Sequence, residues 1–235
     1  MTQQLILDIF PASPQTLDNF IAGDNAAALD ALRHCQPGRA IYLWGPPGAG
    51  RSHLLRAVTT GADGIYISVR HGNAELASLI DADTIGYRIV AVDDIEHLDT
   101  QGQGLLFRLY NRWRETGSGK DAFALVVAGD QAPLATGLRE DLRTRLGWDL
   151  VFRLHLLSDD DRARALERQA HDRGLRLAPE VINWLLTYYS RDMSHLSALL
   201  DALDRYSLQR HRPITVPLLK ELLATRQTPS STGTL

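Results

Sequence analysis

The sequence has little of what several large protein classes require. Its 235 residues contain one cysteine, Cys35, so no internal disulfide can form, and no Cys/His cluster has the spacing of a zinc site. Positive charge is not in excess: the formal net charge is −3, which disfavours autonomous binding to DNA. The longest apolar runs, such as 89–92 and 122–128, are far too short to span a bilayer.

The N-terminus also lacks the marks of a secretion signal. It reads MTQQLILDIF, with no basic first segment and no small-residue cleavage site. Together with the short apolar runs, this predicts a soluble cytoplasmic protein without membrane attachment. The composition, 44% hydrophobic and 23% charged, is typical of a globular chain.

Short, continuous apolar runs alternate with helix-like segments over the first two thirds of the chain. Such runs suit strands that are covered on both faces, and the alternation predicts an α/β fold with a five-stranded parallel sheet. The predicted strands are 40–44, 65–69, 88–92, 123–128 and 151–154, and the first predicted helices are 52–60 and 105–115.

The pattern becomes all-helical after Leu157. Ser158 and Asp161 resemble a capping box, and helices are predicted at 159–173, 179–189, 193–210 and 216–224. We therefore expect four parts: an N-terminal tail (1–18), an α/β subdomain (19–156), a small all-α subdomain (157–226) and a polar tail (227–235).

The strongest chemical signal is a glycine-rich loop that follows a predicted strand and opens a predicted helix. In a P-loop, glycines let backbone N–H groups close around phosphates at the helix N-terminus, and the hydroxyl of Ser52 can bind Mg²⁺. Arg51 stands where the pattern has lysine, so we expect nucleotide binding to survive and hydrolysis by the chain itself to suffer. The alternative is a glycine–proline loop that only turns the chain. The predicted nucleotide-binding residues here are Gly45, Pro46, Pro47, Gly48, Ala49, Gly50, Arg51, Ser52 and His53.

A second signal is the hydrophobic strand that ends in Asp93 and Asp94, one βαβα module after the loop. Such a Walker B segment would hold Mg²⁺ through Asp93, and Asp94 would orient the attacking water. The alternative is a strand whose two terminal acids only cap the following helix.

Four motifs in this order resemble the DnaA branch of the AAA+ ATPases. The resemblance extends from about residue 19 to 223 and implies an AAA+ fold with a helical lid, bound ADP or ATP, and Mg²⁺. The motifs are Asn19-Phe-Ile-Ala-Gly-Asp-Asn25, the P-loop with His53-Leu54-Leu55, Val92-Asp93-Asp94-Ile95 and Arg143-Thr-Arg145-Leu-Gly-Trp148.

The resemblance gives Arg145 the position of an arginine finger, which neutralises charge at a neighbouring subunit's γ-phosphate. The alternative is a surface arginine paired with Asp141 or Glu140, a contact of little energetic weight. Asp130 resembles the sensor-1 residue, with a simple turn cap as its alternative.

Further residues resemble parts of the nucleotide pocket. Phe20, Gly23 and Asn25 resemble the segment that lines the adenine, although Phe20 suits a core position equally well. In the lid, Ser194 falls where the family has a phosphate-sensing arginine, and a one-turn shift of the alignment would put Arg191 there. The resemblance therefore implies a nucleotide that is held differently or more weakly.

The first ten residues resemble the peptide by which bacterial proteins dock on the β sliding clamp of DNA polymerase III. An extended segment can place alternate apolar side chains in a cleft while its backbone pairs with an edge. The alternative is a strand or staple on this chain's own core. The residues concerned are Gln4, Leu5, Leu7, Ile9 and Phe10.

An AAA+ module with such a peptide and no DNA-binding domain resembles the regulatory inactivators of DnaA. The resemblance implies a negative regulator of replication initiation that acts with the DNA-loaded clamp. It would supply an arginine finger to DnaA while having weak or no ATPase activity itself, and a homodimer or higher oligomer is compatible with it. The alternatives are a helicase loader with its own ATPase activity and a nucleotide-gated adaptor.

Overall fold

The computed structural model describes residues 15–61, 63–117, 119–189 and 192–225, with only the backbone of Ser194 and Thr225. The described chain divides into two compact units, Gln15–Leu156 and the part that begins at Leu157. Within the described residues, no helix is both long enough and apolar enough to cross a membrane.

The first unit is built around a sheet that, in the described residues, has five parallel strands in the order β2-β3-β4-β1-β5. The predicted α/β fold is therefore confirmed. Because neighbouring strands run parallel, their carboxyl ends meet at one edge, where the sequence places its glycine-rich loop and its acids. The strands are β1 (Ala40–Trp44), β2 (Gly64–Ser68), β3 (Ile89–Asp93), β4 (Ala124–Gly129) and β5 (Leu150–Arg153).

Helices cover both faces of the sheet. Alternate residues of β1 show the division, since Tyr42 joins the core on one face and Ile41 and Leu43 join the core on the other. The helices are α1 (Ala26–Arg33), α2 (Arg51–Thr59), α3 (Ala74–Asp81), α4 (Thr100–Thr116) and α5 (Glu140–Leu146).

Helix α4 corrects one predicted boundary. It begins at Thr100 rather than at residue 105, because the side chain of Asp99 accepts a hydrogen bond from the backbone N–H of Gly102 at 2.7 Å and caps the helix. The first turn is polar on most sides, so apolar periodicity does not reveal it.

A bidentate ion pair fixes the start of β5 beside the start of β1. The Nε and Nη2 atoms of Arg39 lie 2.8 and 2.7 Å from the two carboxylate oxygens of Asp149, which also accepts the N–H of Ala40 at 2.9 Å. A pair joined by two parallel hydrogen bonds fixes the relative orientation of the two side chains in addition to bringing their opposite charges together.

The second unit is helical and has its own apolar core, which includes Leu166, Leu185 and Leu199. Ser158 caps its first helix, as predicted, by accepting the N–H of Asp161 at 3.0 Å. The helices are α6 (Asp159–Asp172), α7 (Pro179–Tyr188), α8 (Met193–Arg210) and α9 (Val216–Thr225).

Candidate functional site

The glycine-rich loop forms a cradle between β1 and α2. Gly48 and Gly50 have φ angles of +84° and +93°, a left-handed backbone that glycine adopts without strain. A Cβ atom on Gly45 would lie 2.5 Å from the carbonyl oxygen of Leu154, so the chain can pass here only without a side chain. The N-cap residue of α2 is Gly50, which has no side chain to cap the helix, so the first N–H groups of α2 remain directed at the loop. This cradle fits a phosphate group.

The remaining loop residues support this geometry. The N–H of Ala49 bonds to the carbonyl oxygen of Pro46 at 3.2 Å, which closes a turn around Pro47. Ser52 and His53 lie in the first turn of α2, and His53 Nε2 is 3.0 Å from the carbonyl oxygen of Thr16.

Arg51 is the first residue of α2, and its side chain is only 8% exposed. Both Nη atoms lie 3.3 Å from Oε1 of Glu96, which belongs to a short 3₁₀ turn after β3 and is itself 19% exposed. The arginine at the P-loop position therefore has a carboxylate partner within the same chain. Sequence reasoning did not identify Glu96.

The two acids at the end of β3 have different partners. Asp93 is fully buried, and its oxygens accept the hydroxyl of Tyr66 and the N–H of Asp94, each at 2.9 Å. Burial and the adjacent Asp93 charge raise the pKa of Tyr66 to about 12, so its hydroxyl remains a donor at neutral pH.

Asp94 adopts a left-handed backbone with φ of 62°. Its carboxylate accepts the hydroxyl of Ser68 at 2.8 Å and the Nη2 group of Arg70 at 2.9 Å. Burial acts to raise the pKa of Asp94, but the two hydrogen bonds together with the charges of Arg70 and Arg51 lower the pKa below its usual range. The acid expected to orient a water molecule is thus already engaged by a guanidinium group.

Asp93 and Ser52 fit a magnesium ion better than the neighbouring acids do. Within the described residues, Asp93 has neutral hydrogen-bond donors and no cation as partners, and carboxylate and hydroxyl oxygens are ligands that Mg²⁺ prefers. Potential ligand atoms of Asp94, Glu96 and His97 also lie within 4.8 Å of one another. Their two carboxylates already face arginines, so this second group is the weaker cation site.

Asp130 directly follows β4, next to the acidic end of β3. Nearby, the hydroxyl of the buried Tyr42 donates to the carbonyl oxygen of Gln131 at 2.7 Å. Burial raises the pKa of Tyr42, and the charges of Glu96 and Asp130 raise it further. Asp130 and the Arg51–Glu96 pair therefore both act on Tyr42, and the sensor-1 role of Asp130 stays a prediction.

The segment expected to line the adenine lies beside the P-loop. Phe20 packs against the core and against the ring of His53, with centroids 5.4 Å apart, and a Cβ atom on Gly50 would lie 2.6 Å from its ring. Both the core position and the pocket position foreseen for Phe20 are compatible with this placement. Gly23 opens the 3₁₀ turn Gly23–Asn25 with φ of 48°.

Asn25 has a clear structural task. Its amide donates to the carbonyl oxygen of His155 at 2.9 Å and accepts the N–H of the same residue at 2.7 Å. The side chain is thus bonded at both ends, and it holds the segment after β5 against the turn that precedes α1.

Arg145, near the end of α5, is held by neutral groups. Its Nη1 donates to Oδ1 of Asn111 at 2.6 Å, and its guanidinium carbon lies 3.8 Å from the ring centroid of Phe107 and 4.8 Å from that of Trp148. Burial lowers the pKa of Arg145, although the group remains charged at neutral pH.

Asp141, one of the two carboxylates named as alternative partners of Arg145, bonds instead to Arg139 at 2.7 Å, although its charge still acts to raise the pKa of Arg145. Asn111 and Phe107 lie on α4, far from Arg145 in sequence, and sequence reasoning did not find them.

Some predicted site residues lie outside the described part of the chain. These are Arg191, the side chain of Ser194, and the whole predicted docking peptide with Gln4, Leu5, Leu7, Ile9 and Phe10.

Comparison with known sequences finds both a matching family model and a relative of similar length. A family model described as "Hda, lid domain" matches residues 159–223, which lie in the helical unit. The chain is also 31% identical over 236 aligned positions to a Haemophilus influenzae protein described only as uncharacterized, and the match covers 95% of this chain and 99% of that protein.

Solved structures show the same fold. Domain III of the replication initiation protein DnaA from Thermotoga maritima matches with a TM-score of 0.70 and 21% identity, covering 93% of this chain and all of that domain. AMPPCP-bound DnaA from Aquifex aeolicus gives 0.63 and 20%, covering 86% of this chain and 68% of that one. A mutant of Thermotoga maritima RuvB gives 0.64 and 16%, with 94% and 73% covered. These matches confirm the predicted AAA+ fold.

Proposed function

The chain belongs to the Hda-like, DnaA-homologous AAA+ proteins, and on that premise we propose that it is a nucleotide-bound negative regulator of replication initiation. It binds ADP, with Mg²⁺ at Ser52 and Asp93, and stimulates ATP hydrolysis by DnaA in trans. Residues 19–156 form the nucleotide-binding subdomain and 157–226 the lid. Binding of AMPPCP by the structurally similar DnaA supports a nucleotide site in this fold.

The observation that carries the proposal is the environment of Arg145. Within the described residues, its guanidinium has an amide and two aromatic rings as partners and forms no ion pair. A half-buried cation with no carboxylate in direct contact is costly, because water is partly removed and the charge of Asp141 acts on it only from beyond ion-pair distance. A phosphate group from a partner protein would supply that missing charge, which is the task of an arginine finger.

The chain's own nucleotide site supports a role as activator rather than as motor. Arg51 is paired with Glu96, and Asp94 is paired with Arg70. The guanidinium at the P-loop position and the acid expected to orient the attacking water are therefore both engaged by internal partners. This favours the regulator over a helicase loader that depends on its own rapid turnover.

The decisive experiment follows the hydrolysis of radiolabelled ATP that is already bound to DnaA. The reaction contains the full chain, ADP and the sliding clamp loaded on DNA. The wild type is expected to stimulate hydrolysis, and Arg145→Ala is expected to remove a stimulation for which a finger can contribute a factor of about 10³ or more. Arg108→Ala is the matched control, because Arg108 is 57% exposed and makes only a 3.5 Å surface pair with Asp81.

The outcomes separate the candidate functions. Equal loss in both arginine variants would contradict the role of Arg145. Absence of stimulation by the wild type would favour the nucleotide-gated adaptor, and rapid ATP turnover by the chain without DnaA would favour the loader.

Docking on the β sliding clamp is proposed from the sequence of residues 4–10. Replacing Leu7 and Ile9 by alanine is expected to abolish clamp binding, since these alternate apolar side chains would fill the cleft. Gln3→Ala, just outside the motif, serves as the control. Loss of folded protein in the double variant, seen as a lost thermal transition, would instead mean that the segment belongs to the chain's own core.

A further inference from the structure

The P-loop arginine and its carboxylate partner form a pair that is only partly satisfied. Both Nη atoms of Arg51 share one oxygen of Glu96, Oε1, at 3.3 Å, longer than the 2.7–2.9 Å of a strong charge-assisted hydrogen bond. The other oxygen, Oε2, is buried and has no hydrogen-bond partner among the described residues. A buried carboxylate oxygen without a donor is destabilising, so folding alone gives no reason for an acid at this position.

The surroundings of the pair are rich in negative charge. Carboxylates lie at the carboxyl ends of β3 and β4 and in the turn after β3, close to the P-loop arginine. Two of them, Glu96 and Asp130, act electrostatically on Tyr42. Four carboxylates lie here with three guanidinium groups, a formal excess of one negative charge, namely Asp93, Asp94, Glu96 and Asp130 with Arg51, Arg70 and the Arg56 that lies over the ring of Tyr66 beside Asp93.

This charge distribution matters for a nucleotide because a triphosphate carries more negative charge than a diphosphate. The cradle at the N-terminus of α2 attracts phosphate through backbone N–H groups, and this attraction does not depend on the charges of the side chains. Among the described residues of the loop, Arg51 is the side chain placed to add attraction for a terminal phosphate, and a metal ion is the other source. Glu96 balances Arg51 and is itself one more negative charge near the same guanidinium.

We infer that Glu96 sets the nucleotide preference of this site: by neutralising Arg51 it disfavours a nucleoside triphosphate relative to a nucleoside diphosphate. Glu96 is a positioning residue, since it acts through Arg51 and through its charge. The inference rests on the proposed binding of nucleotide at the P-loop and adds the residue that selects between the two ligands.

The test measures binding of ADP and of a non-hydrolysable ATP analogue to the full chain by titration calorimetry with Mg²⁺. Glu96→Gln keeps the shape of the side chain and removes its charge. We expect it to improve triphosphate affinity relative to diphosphate affinity by about tenfold or more, the scale of removing one unit charge near a charged ligand in a partly buried site. The matched control is Glu115→Gln, because Glu115 is exposed near the end of α4.

A coupling measurement separates this role from a merely structural one. In the background of Arg51→Ala, the change at Glu96 is expected to shift the ratio of the two affinities much less, because the group through which it acts is gone. Equal changes in both affinities, or an unchanged ratio in Glu96→Gln, would overturn the inference while leaving nucleotide binding intact. Should Glu96→Gln fail to fold, Glu96→Asp keeps the charge on a shorter side chain and is expected to give a smaller shift in the same direction.

Failure of the underlying proposal has a different signature. If the wild type binds neither nucleotide, then the proposed nucleotide site is wrong, and the inference about Glu96 is wrong with it.

Discussion

Removing the side chain of Asn25 tests the connection, within the first unit, between the turn that precedes α1 and the segment that follows β5. Asn25 is 3% exposed and makes two hydrogen bonds to the backbone of His155, at 2.9 and 2.7 Å. Each such bond contributes about 1 kcal/mol net, and more where the abandoned partner stays away from water. Because the His155 side chain is exposed, water can reach its backbone, and we expect Asn25→Ala to cost about 2 kcal/mol.

The assay is urea unfolding followed by tryptophan fluorescence in a Trp184→Phe background. Trp184 lies on α7, so its removal leaves only tryptophans of the sheet-containing unit as reporters. Asn73→Ala is the control, because Asn73 makes one exposed hydrogen bond to Asp99 at 2.8 Å and its loss should cost about 0.5 kcal/mol.

A destabilisation by Asn25→Ala no larger than that of the control would refute the reasoning, because two native backbone bonds would then contribute nothing. A second readout is ADP affinity. If the turn before α1 lines the adenine, the affinity should fall even under conditions in which the variant is fully folded.

Three further predictions concern separate features. Gly45→Ala should destabilise the unit by at least about 2 kcal/mol in the same urea assay, since the added Cβ would lie 2.5 Å from the backbone oxygen of Leu154; an unchanged midpoint would contradict this. Arg70→Met should lower the free energy of unfolding at neutral pH. The difference in this free energy between the variant and the wild type should become smaller as pH falls below about 4. The reason is that the lowered pKa of Asp94 contributes stability above its unfolded pKa and loses it on protonation, so a difference that persists in acid would refute the pairing. Burial raises the pKa of Cys35 to about 11, so alkylation of the native thiol at pH 8 should be about 100-fold slower than in urea, whereas equal rates would show that the thiol is accessible and ordinary.

The fold was predictable because its signals are local. Continuous apolar runs such as 124–128 mark strands buried on both faces, and the alternation with helices implies parallel pairing. The order of the strands was not predictable from these runs, because any apolar strand can pair with any other. The start of α4 was missed for the same kind of reason: its first turn is fixed by the cap at Asp99 and has no apolar face.

The site was predictable where a motif carries its own geometry. The glycines at 48 and 50 and the acids at the end of β3 could be placed from sequence spacing alone. Their partners could not be. Glu96 reaches Arg51 only because Asp94 takes a left-handed backbone and a 3₁₀ turn follows, which are features of the folded chain. Asn111 reaches Arg145 across two helices that are separated by a strand.

The ion pair between Arg39 and Asp149 affects whether a strand from another molecule can pair with this edge of the sheet. It secures β5 as a four-residue border strand, and the guanidinium of Arg153 at its end lies over the ring of Trp44, 5.3 Å from the centroid. A short, charged border offers few free backbone groups for strand addition from another molecule. The β5 edge of the sheet should therefore resist the edge-to-edge aggregation that threatens open sheets.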